Sequence, residues 1–497
     1  MKRAIFVSGF MLLGFGKNDL MIVFRDTGAF LRASSFLFLV PVLVALIYFE
    51  PLDNYINYIS VGVFCSLSGH VIRKVFYSDK ESELKHAFLS VGVLWVSFTF
   101  FASLPFALNH GMSFLDAYFE AMSAITTTGL SVLPAIDSAP KSLLFWRSFL
   151  EWIGGIGIVV LALTGVLSTY SRSVKYMIAE GREKRIKPNL KNTAKQMIFI
   201  YTIMTLFGTS MLYFSGLDLF SAVNYSMSAI STTGTSISSQ GLQGMHNYLV
   251  DFSLIVIMLL GATSFSTHYL FIKRIHLKSY LEDREFQIML VLSAVSVVAI
   301  LPELIRFYQN ESVALEYAVF YAVSAITEGG FDLVPLTGDI ALWSEFVKII
   351  LIIIMFIGGS SGSTTGGVKI SRFWIFIKSI IWRIKSLVVA ENVIFSRKFE
   401  GREVGEKEVN EINQFIILYL FFVIVGTIVL VNQGIPLGNS LFEVVSAQSN
   451  NGLSTGVTYP GMNPLVELML IFNMWIGRLE IIPFLSALGF ILAFRER

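Results

Sequence analysis

The sequence predicts an all-α integral membrane protein with ten transmembrane helices. Three observations predict it. Only 14% of the 497 residues are charged, against roughly 25% in soluble globular chains. Apolar segments long enough to cross a bilayer recur from one end to the other, and the mean hydropathy is +0.68. Four short polar stretches between those segments align with one another without a gap.

A spanning helix needs about 20 apolar residues. Such segments lie near 33–49, 56–76, 87–108, 143–168, 194–215, 248–272, 285–304, 343–380, 411–432 and 464–494. They form an initial pair followed by four further pairs. The implied divisions are an N-terminal extension over 1–30, a helix pair over 31–80, and repeats over 81–185, 186–280, 281–400 and 401–497. Residues 1–24 join Met-Lys-Arg to a short apolar run, with Arg25 and Arg32 ahead of the next apolar segment. No small-residue cleavage site follows, so an uncleaved extension is expected.

Charge sets the expected orientation. Stretches 73–86, 172–195, 273–284 and 369–407 hold 4, 8, 4 and 9 of the 37 Lys and Arg residues. The connections on the other side hold few, chiefly Lys141, Arg147 and Arg306. By the positive-inside rule the four basic stretches, and both termini, face the cytoplasm. Cys65 is the only cysteine, so an intramolecular disulfide is excluded. The six histidines show no paired-ligand spacing.

Within each later pair lies an amphipathic stretch of half length, starting near Ser113, Asp218, Ala314 and Leu437. Thirteen helical residues rise only about 20 Å, enough to enter a bilayer halfway and return. Irregular backbone at that depth must be enclosed by protein or line an aqueous cavity. The stretches end in Ser123-Ala-Ile-Thr-Thr-Thr-Gly129, Ser228-Ala-Ile-Ser-Thr-Thr-Gly234, Ser324-Ala-Ile-Thr-Glu-Gly-Gly330 and Ser446-Ala-Gln-Ser-Asn-Asn-Gly452. Each has Ser-Ala at a fixed place and a glycine six residues after the serine. A helix ending there turns its partly negative terminus to the loop, and glycine lets backbone oxygens approach a ligand with no Cβ in the way. Four such loops about one axis form an oxygen ring able to replace the hydration shell of a monovalent cation. Capping or close packing explains any single loop, but not four copies in one register. One glycine per loop suggests one dominant binding level. The expected architecture is therefore four pseudo-symmetric helix–pore loop–helix repeats around one central pore, plus the N-terminal helix pair.

The third repeat carries a second feature. The apolar run 347–357 leads into Gly358-Gly359-Ser360-Ser361-Gly362-Ser363-Thr364-Thr365-Gly366-Gly367. Each glycine costs a helix about 1 kcal/mol relative to alanine, so the span breaks here, as it does where a break lines a cavity. The stretch superficially resembles a phosphate-binding loop. Val368 stands where the lysine is required and the preceding element reads as a membrane helix, so ATP binding is rejected. No nucleophile and base pair is evident, and an enzyme is not expected.

These units, together with Glu151-Trp-Ile-Gly-Gly-Ile-Gly157 and Gly477-Arg-Leu-Glu-Ile-Ile-Pro483, resemble the Trk/Ktr/HKT superfamily of cation transporters over nearly the whole chain. The extra N-terminal pair and the Gly-Arg-Leu-Glu ending are most similar to the Trk-type potassium uptake subunit. The resemblance implies potassium uptake across the cytoplasmic (inner) membrane, with potassium as substrate and no organic cofactor. It places Thr127, Thr128, Gly129, Thr232, Thr233, Gly234, Glu328, Gly329, Gly330, Asn450, Asn451 and Gly452 at the selectivity filter. It makes residues 358–367 a gate loop and turns Arg478 toward that loop. It also implies a homodimer and a cytoplasmic nucleotide-binding, TrkA-like regulatory subunit docking on 172–195 and 369–407, and no nucleic-acid partner. Sodium-favouring members often carry serine at the first filter glycine, and Gly129 favours potassium.

Two positions depart from the family's commonest pattern. Glu328 stands where sister loops have Thr127 and Thr232; it either concentrates cations at the mouth or forms a buried pair with a donor. Asn450 and Asn451 replace threonines and put the symmetry of the ring in doubt. Arg478 on residues alone pairs with Glu480 or a helix end. Passive, proton-coupled (symporter) and sodium-coupled transport all stay open. The alternatives are a sodium-permeable cation transporter or a secondary transporter of a small solute, the last predicting an inverted two-fold repeat.

Overall fold

A computed structural model describes residues 17–157, 190–242, 247–333, 339–388, 397–399, 402–481 and positions 484, 485 and 489. Much of two basic stretches (172–189 and 389–396), most of the extension (1–16) and most of the chain after 481 lie outside the described residues. The described chain is overwhelmingly helical, with a single two-stranded hairpin, β1 (Lys398–Phe399) and β2 (Arg402–Glu403).

Six described helical stretches are long and apolar enough to cross a membrane: Asn18–Ile47, Leu52–Val75, His86–His110, Thr193–Phe214, Arg284–Tyr308 and Glu406–Asn432. The first begins well before residue 33, because α1 (Lys17–Ser34) runs through a 3-10 turn into α2 (Leu39–Ile47). Arg25 thus falls inside a helix. It is buried and saturated by Asp26, by Ser82 Oγ at 3.1 Å and by the carbonyls of Ser78 and Lys80 at 2.5 and 2.8 Å. That pairing is what lets a segment with internal charge pack, and hydropathy alone does not register it. Helix α3 (Leu52–Val75) completes the N-terminal group, which packs on α4 (Leu84–His110) and α6 (Lys141–Ile156).

The half-length stretches are helices. They are α5 (Phe114–Ile125), α8 (Leu219–Ile230), α13 (Glu311–Ile326) and α17 (Leu437–Ser449). Three start on a side-chain cap that satisfies orphan amides: Ser113 accepts from Asp116 N, Asp218 from Phe220 and Ser221 N, and Asn310 from Ser312 and Val313 N. The third starts earlier than the predicted Ala314, at the cap the sequence reading overlooked.

Each short helix packs between two flanking helices: α4 and α6; α7 (Leu190–Phe214) and α9 (Tyr248–Gly261); α12 (Arg284–Tyr308) and α14 (Glu345–Ile357); α16 (Glu406–Asn432) and α18 (Pro464–Arg478). The second flanking helix of each unit also packs on the short helix of the next: α6 on α8, α9 on α13, α14 on α17, and α18 back on α5. The contacts therefore close into a circuit.

The predicted span 248–272 is not straight. It bends by 99° between α9 and the following α10 (Phe265–Arg274). Ala262 to Ser264 form the break, and Ser264 caps the new helix through Ser266 N. A single turn, α11 (Lys278–Leu281), leads from α10 to α12. The predicted span 343–380 is broken as expected: α14 ends at Ile357, and the next long helix, α15 (Ile370–Val388), begins after the glycine-rich loop.

Candidate functional site

All four short helices stop the same way. Thr127, Thr232, Glu328 and Asn450 take left-handed backbone, with φ of 57°, 59°, 54° and 61°. The amide of the next residue reaches back to the recurring serine of the motif: Thr128 to Ser123 O, Thr233 to Ser228 O, Gly329 to Ser324 O and Asn451 to Ser446 O, at 2.8–3.0 Å. The left-handed residue's own amide bonds the alanine carbonyl, at Ala124, Ala229, Ala325 and Ala447. This is a Schellman termination, which satisfies helix-end carbonyls and turns the chain sharply. Only asparagine among the three residue types used takes that conformation readily; threonine and glutamate are held there by the two bonds.

The glycines then meet. Gly129, Gly234, Gly330 and Gly452 all have positive φ, from 65° to 101°. A Cβ on Gly129 would strike the carbonyl oxygen of Thr233 and stand 3.4 Å from the Cα of Gly452. The same Thr233 oxygen faces Gly330 and Gly452, and Gly234 faces the backbone of Gly329 and Gly330. One carbonyl thus looks at the glycines of the three other loops.

The serine of the motif has a second task. Its hydroxyl accepts the glycine amide in three loops, Ser123 from Gly129, Ser228 from Gly234 and Ser446 from Gly452, each at 3.1 Å. That bond turns the N–H outward and leaves the carbonyls to the centre. In the third loop Ser324 Oγ instead donates to Phe331 O at 2.9 Å.

Behind the loops lies a brace the sequence reading missed. Three residues before each serine stands Glu120, Tyr225, Tyr321 or Glu443, and each bonds the segment leaving its own loop. Glu120 accepts from Ser131 Oγ (2.9 Å) and Val132 N (2.8 Å), while Tyr225 OH meets Ser236 Oγ at 3.1 Å. Tyr321 donates to Asp332. Glu443 accepts from Ser454, Thr455 and Thr458. On α6, Arg147 pairs with Glu120 at 3.2 Å and donates to Ser236 O, and Glu151 accepts from Thr235 Oγ1 at 2.5 Å. Arg147 is only 1% exposed. It bridges two loops from within α6, although the charge count placed it in an outer connection.

On the opposite side of the loops runs 358–367, seated in the elbow between α9 and α10. Ser360 N bonds Ala262 O, Phe265 N bonds Gly362 O, and Thr364 Oγ1 donates to Gly261 O at 2.9 Å and to Ile230 O at 3.1 Å. The break in one span thus satisfies the break in another, as buried irregular backbone requires. At its far end a Cβ on Gly366 would strike Ser449 O. The loop therefore reaches from the second unit to the fourth. Glu285 of α12 accepts Ser361 N, and the hydroxyls of Ser361 and Ser371 bond one another. Ser363 Oγ closes on Ser360 O.

Two cations hold adjacent carbonyls of this loop. Arg478 donates to Thr364 O at 2.9 Å and to Gly154 O and Gly155 O of α6. Lys369, which the sequence reading passed over, donates to Thr365 O and to Thr365 Oγ1. Glu480 is paired with Arg372 at 2.7 Å. Glu328 is fully buried, and its Oε1 lies about 3 Å from where Cβ atoms on Gly358 and Gly367 would stand. The carboxylate faces the roots of the loop.

Helices of membrane-crossing length around four buried loops, with glycines pressed against one another's carbonyls, fit a membrane cation transporter. The profile of the TrkH family, described as cation transport protein, matches residues 56–492. An uncharacterized cation transporter of Methanocaldococcus jannaschii is 32% identical, covering 94% of this chain and 95% of the relative. The Trk system potassium uptake protein TrkH of Escherichia coli is 29% identical over 82% of this chain and 85% of its own. The crystal structure of the potassium transporter TrkH from Vibrio parahaemolyticus superposes with a TM-score of 0.80 at 27% identity, covering 94% of this chain and 98% of that one. The chain belongs to the TrkH family of cation transport proteins.

Proposed function

We propose that this chain takes up potassium through one pore formed by its four units. The loops at Gly129, Gly234, Gly330 and Gly452 are the selectivity filter, and loop 358–367 closes the pore below it. The observation that carries the reading is the single centre at which the Thr233 carbonyl meets the glycines of all three other loops. Carbonyl rings of this kind select by replacing an ion's water. The circuit of contacts supports four units about that centre, with the N-terminal helices outside the first. Ten spans place both termini in the cytoplasm under the positive-inside rule. A homodimer and a nucleotide-binding, TrkA-like subunit on the basic stretches follow from the family resemblance.

Lys369 and Arg478 hold the gate loop shut and place positive charge where a cation must pass. The test is ion flux in liposomes, comparing potassium, rubidium, sodium and lithium for the parent and Gly129→Ser. The substitution pushes the Thr233 carbonyl from the centre, and the potassium-to-sodium ratio falls about tenfold, equivalent to about 1.4 kcal/mol. An unchanged ratio in well-folded protein overturns the filter assignment.

A further inference from the structure

We propose that the Glu328 carboxylate builds a second monovalent-cation site, on the gate side of the filter and distinct from the carbonyl ring. The proposal rests on the pore reading above and deepens it. At the equivalent place in the other units the side chains are neutral. The Thr232 hydroxyl donates to Ser231 O, and the Asn450 amide donates to Thr128 Oγ1 at 2.9 Å and Met474 O at 3.0 Å. Glu328 differs in kind. It is 0% exposed, and neither carboxylate oxygen accepts a hydrogen bond from the described residues.

What faces the carboxylate is informative. Gly358 and Gly367 stand against Oε1 with no side chain between. Beside them, a Cβ on Gly366 would meet the Ser449 carbonyl and lie 2.9 Å from Asn450 Oδ1, itself buried without a partner. The Asn451 amide and the Ser449 hydroxyl also lie near the carboxylate, but the first donates to Ser324 O and Ala325 O and the second to Ser446 O, so neither oxygen of Glu328 is taken up by them. Lys369 is near enough to be felt electrostatically, but its ammonium is turned to Thr365. A buried carboxylate left bare is costly, and a bound cation removes the cost. One full charge with neutral oxygens suits a monovalent ion. Divalent sites draw on several carboxylates, and among the described residues no group of three acidic, His or Cys side chains is poised for one. The site holds an ion between the filter and the closed gate.

The experiment uses the full chain with rubidium as the probe, located by anomalous diffraction and counted by equilibrium binding. The expected result is rubidium both among the filter glycines and beside Glu328. Glu328→Thr, which installs the residue of the sister loops, empties the lower position and leaves the upper one. Glu328→Gln weakens the lower position about tenfold or more. Rubidium absent beside Glu328 in the parent, or undiminished there in Glu328→Thr, overturns the proposal while the filter reading stands. Rubidium missing from the filter glycines in every protein overturns the pore reading instead. If neither variant folds, the carboxylate is a structural support and the proposal is also overturned.

Discussion

The two faces of the loop cluster are built on opposite rules. Behind the loops, all four units make the same contact at the same place with unlike residues, two glutamates and two tyrosines. On the side of loop 358–367, one unit alone supplies the glycine-rich loop and Lys369, one alone supplies Arg478, and one alone presents a carboxylate at the left-handed position. The back wall keeps four dissimilar sequences in one geometry, as the proposed ring of oxygens would demand. Under the proposed function the side of loop 358–367 needs no such equivalence, because one loop is enough to block an axis. Symmetry would then be preserved where oxygens converge and abandoned where something moves.

That comparison is open to attack from both sides. The largest effect should come from Glu443→Ala, which orphans the donors of Ser454, Thr455 and Thr458. Buried groups left unsatisfied cost about 1–3 kcal/mol each, so a loss of roughly 3–6 kcal/mol is expected, read as thermal unfolding of detergent-purified protein. A loss below about 1 kcal/mol would mean the brace is dispensable.

On the gate side, Lys369→Met and Arg478→Ala should each raise potassium flux without a regulator, on the order of tenfold, while the potassium-to-sodium ratio holds. The double variant should add little, because both hold one loop and neighbours in one network are not additive. Flux no faster than the parent's, in folded protein, would return both cations to a packing role. The smallest effect belongs to Tyr225→Phe. It removes one hydroxyl whose partner, Ser236, keeps its bond to Ser238 O. A loss of about 1 kcal/mol is expected, with selectivity nearly intact. A fall as large as that of Glu443→Ala would show that the braces do not rank by their bonds.

How far the sequence could be read follows the same divide. The four loops were legible because one serine holds the helix stop through its carbonyl in every loop and, in three of them, takes the glycine amide on its hydroxyl, while Ser324 ties to Phe331 O in the third. The braces were not, because glutamate and tyrosine do not look like a repeat although they occupy one position. Arg147 counted only as a residue of an outer connection, since hydropathy cannot tell an arginine in water from one paired with Glu120. Lys369 was hidden between a glycine run and an apolar helix, where nothing in its neighbours marks it. The 99° elbow at Ala262–Ser264 was read as continuous span because three small residues are outweighed by the apolar runs on either side. Only the loop lodged in it accounts for its shape.

The closing of the contact circuit has a consequence in time. Helix α18 must find α5, Gly461 must donate to Asp116 across 345 residues, and Asn450 to Thr128 across 322. At roughly 5–20 residues per second of synthesis, the first unit waits roughly 20–70 s with one flank uncovered. During that wait the Thr128 hydroxyl keeps only its bond to Thr126 in its own loop, and the face of α5 that will meet α18 stands uncovered. The N-terminal helices cover the other side of that unit and cannot fill the gap. The ribosome therefore delivers three-quarters of a ring before the molecule can become one, and the last helix acts as its keystone.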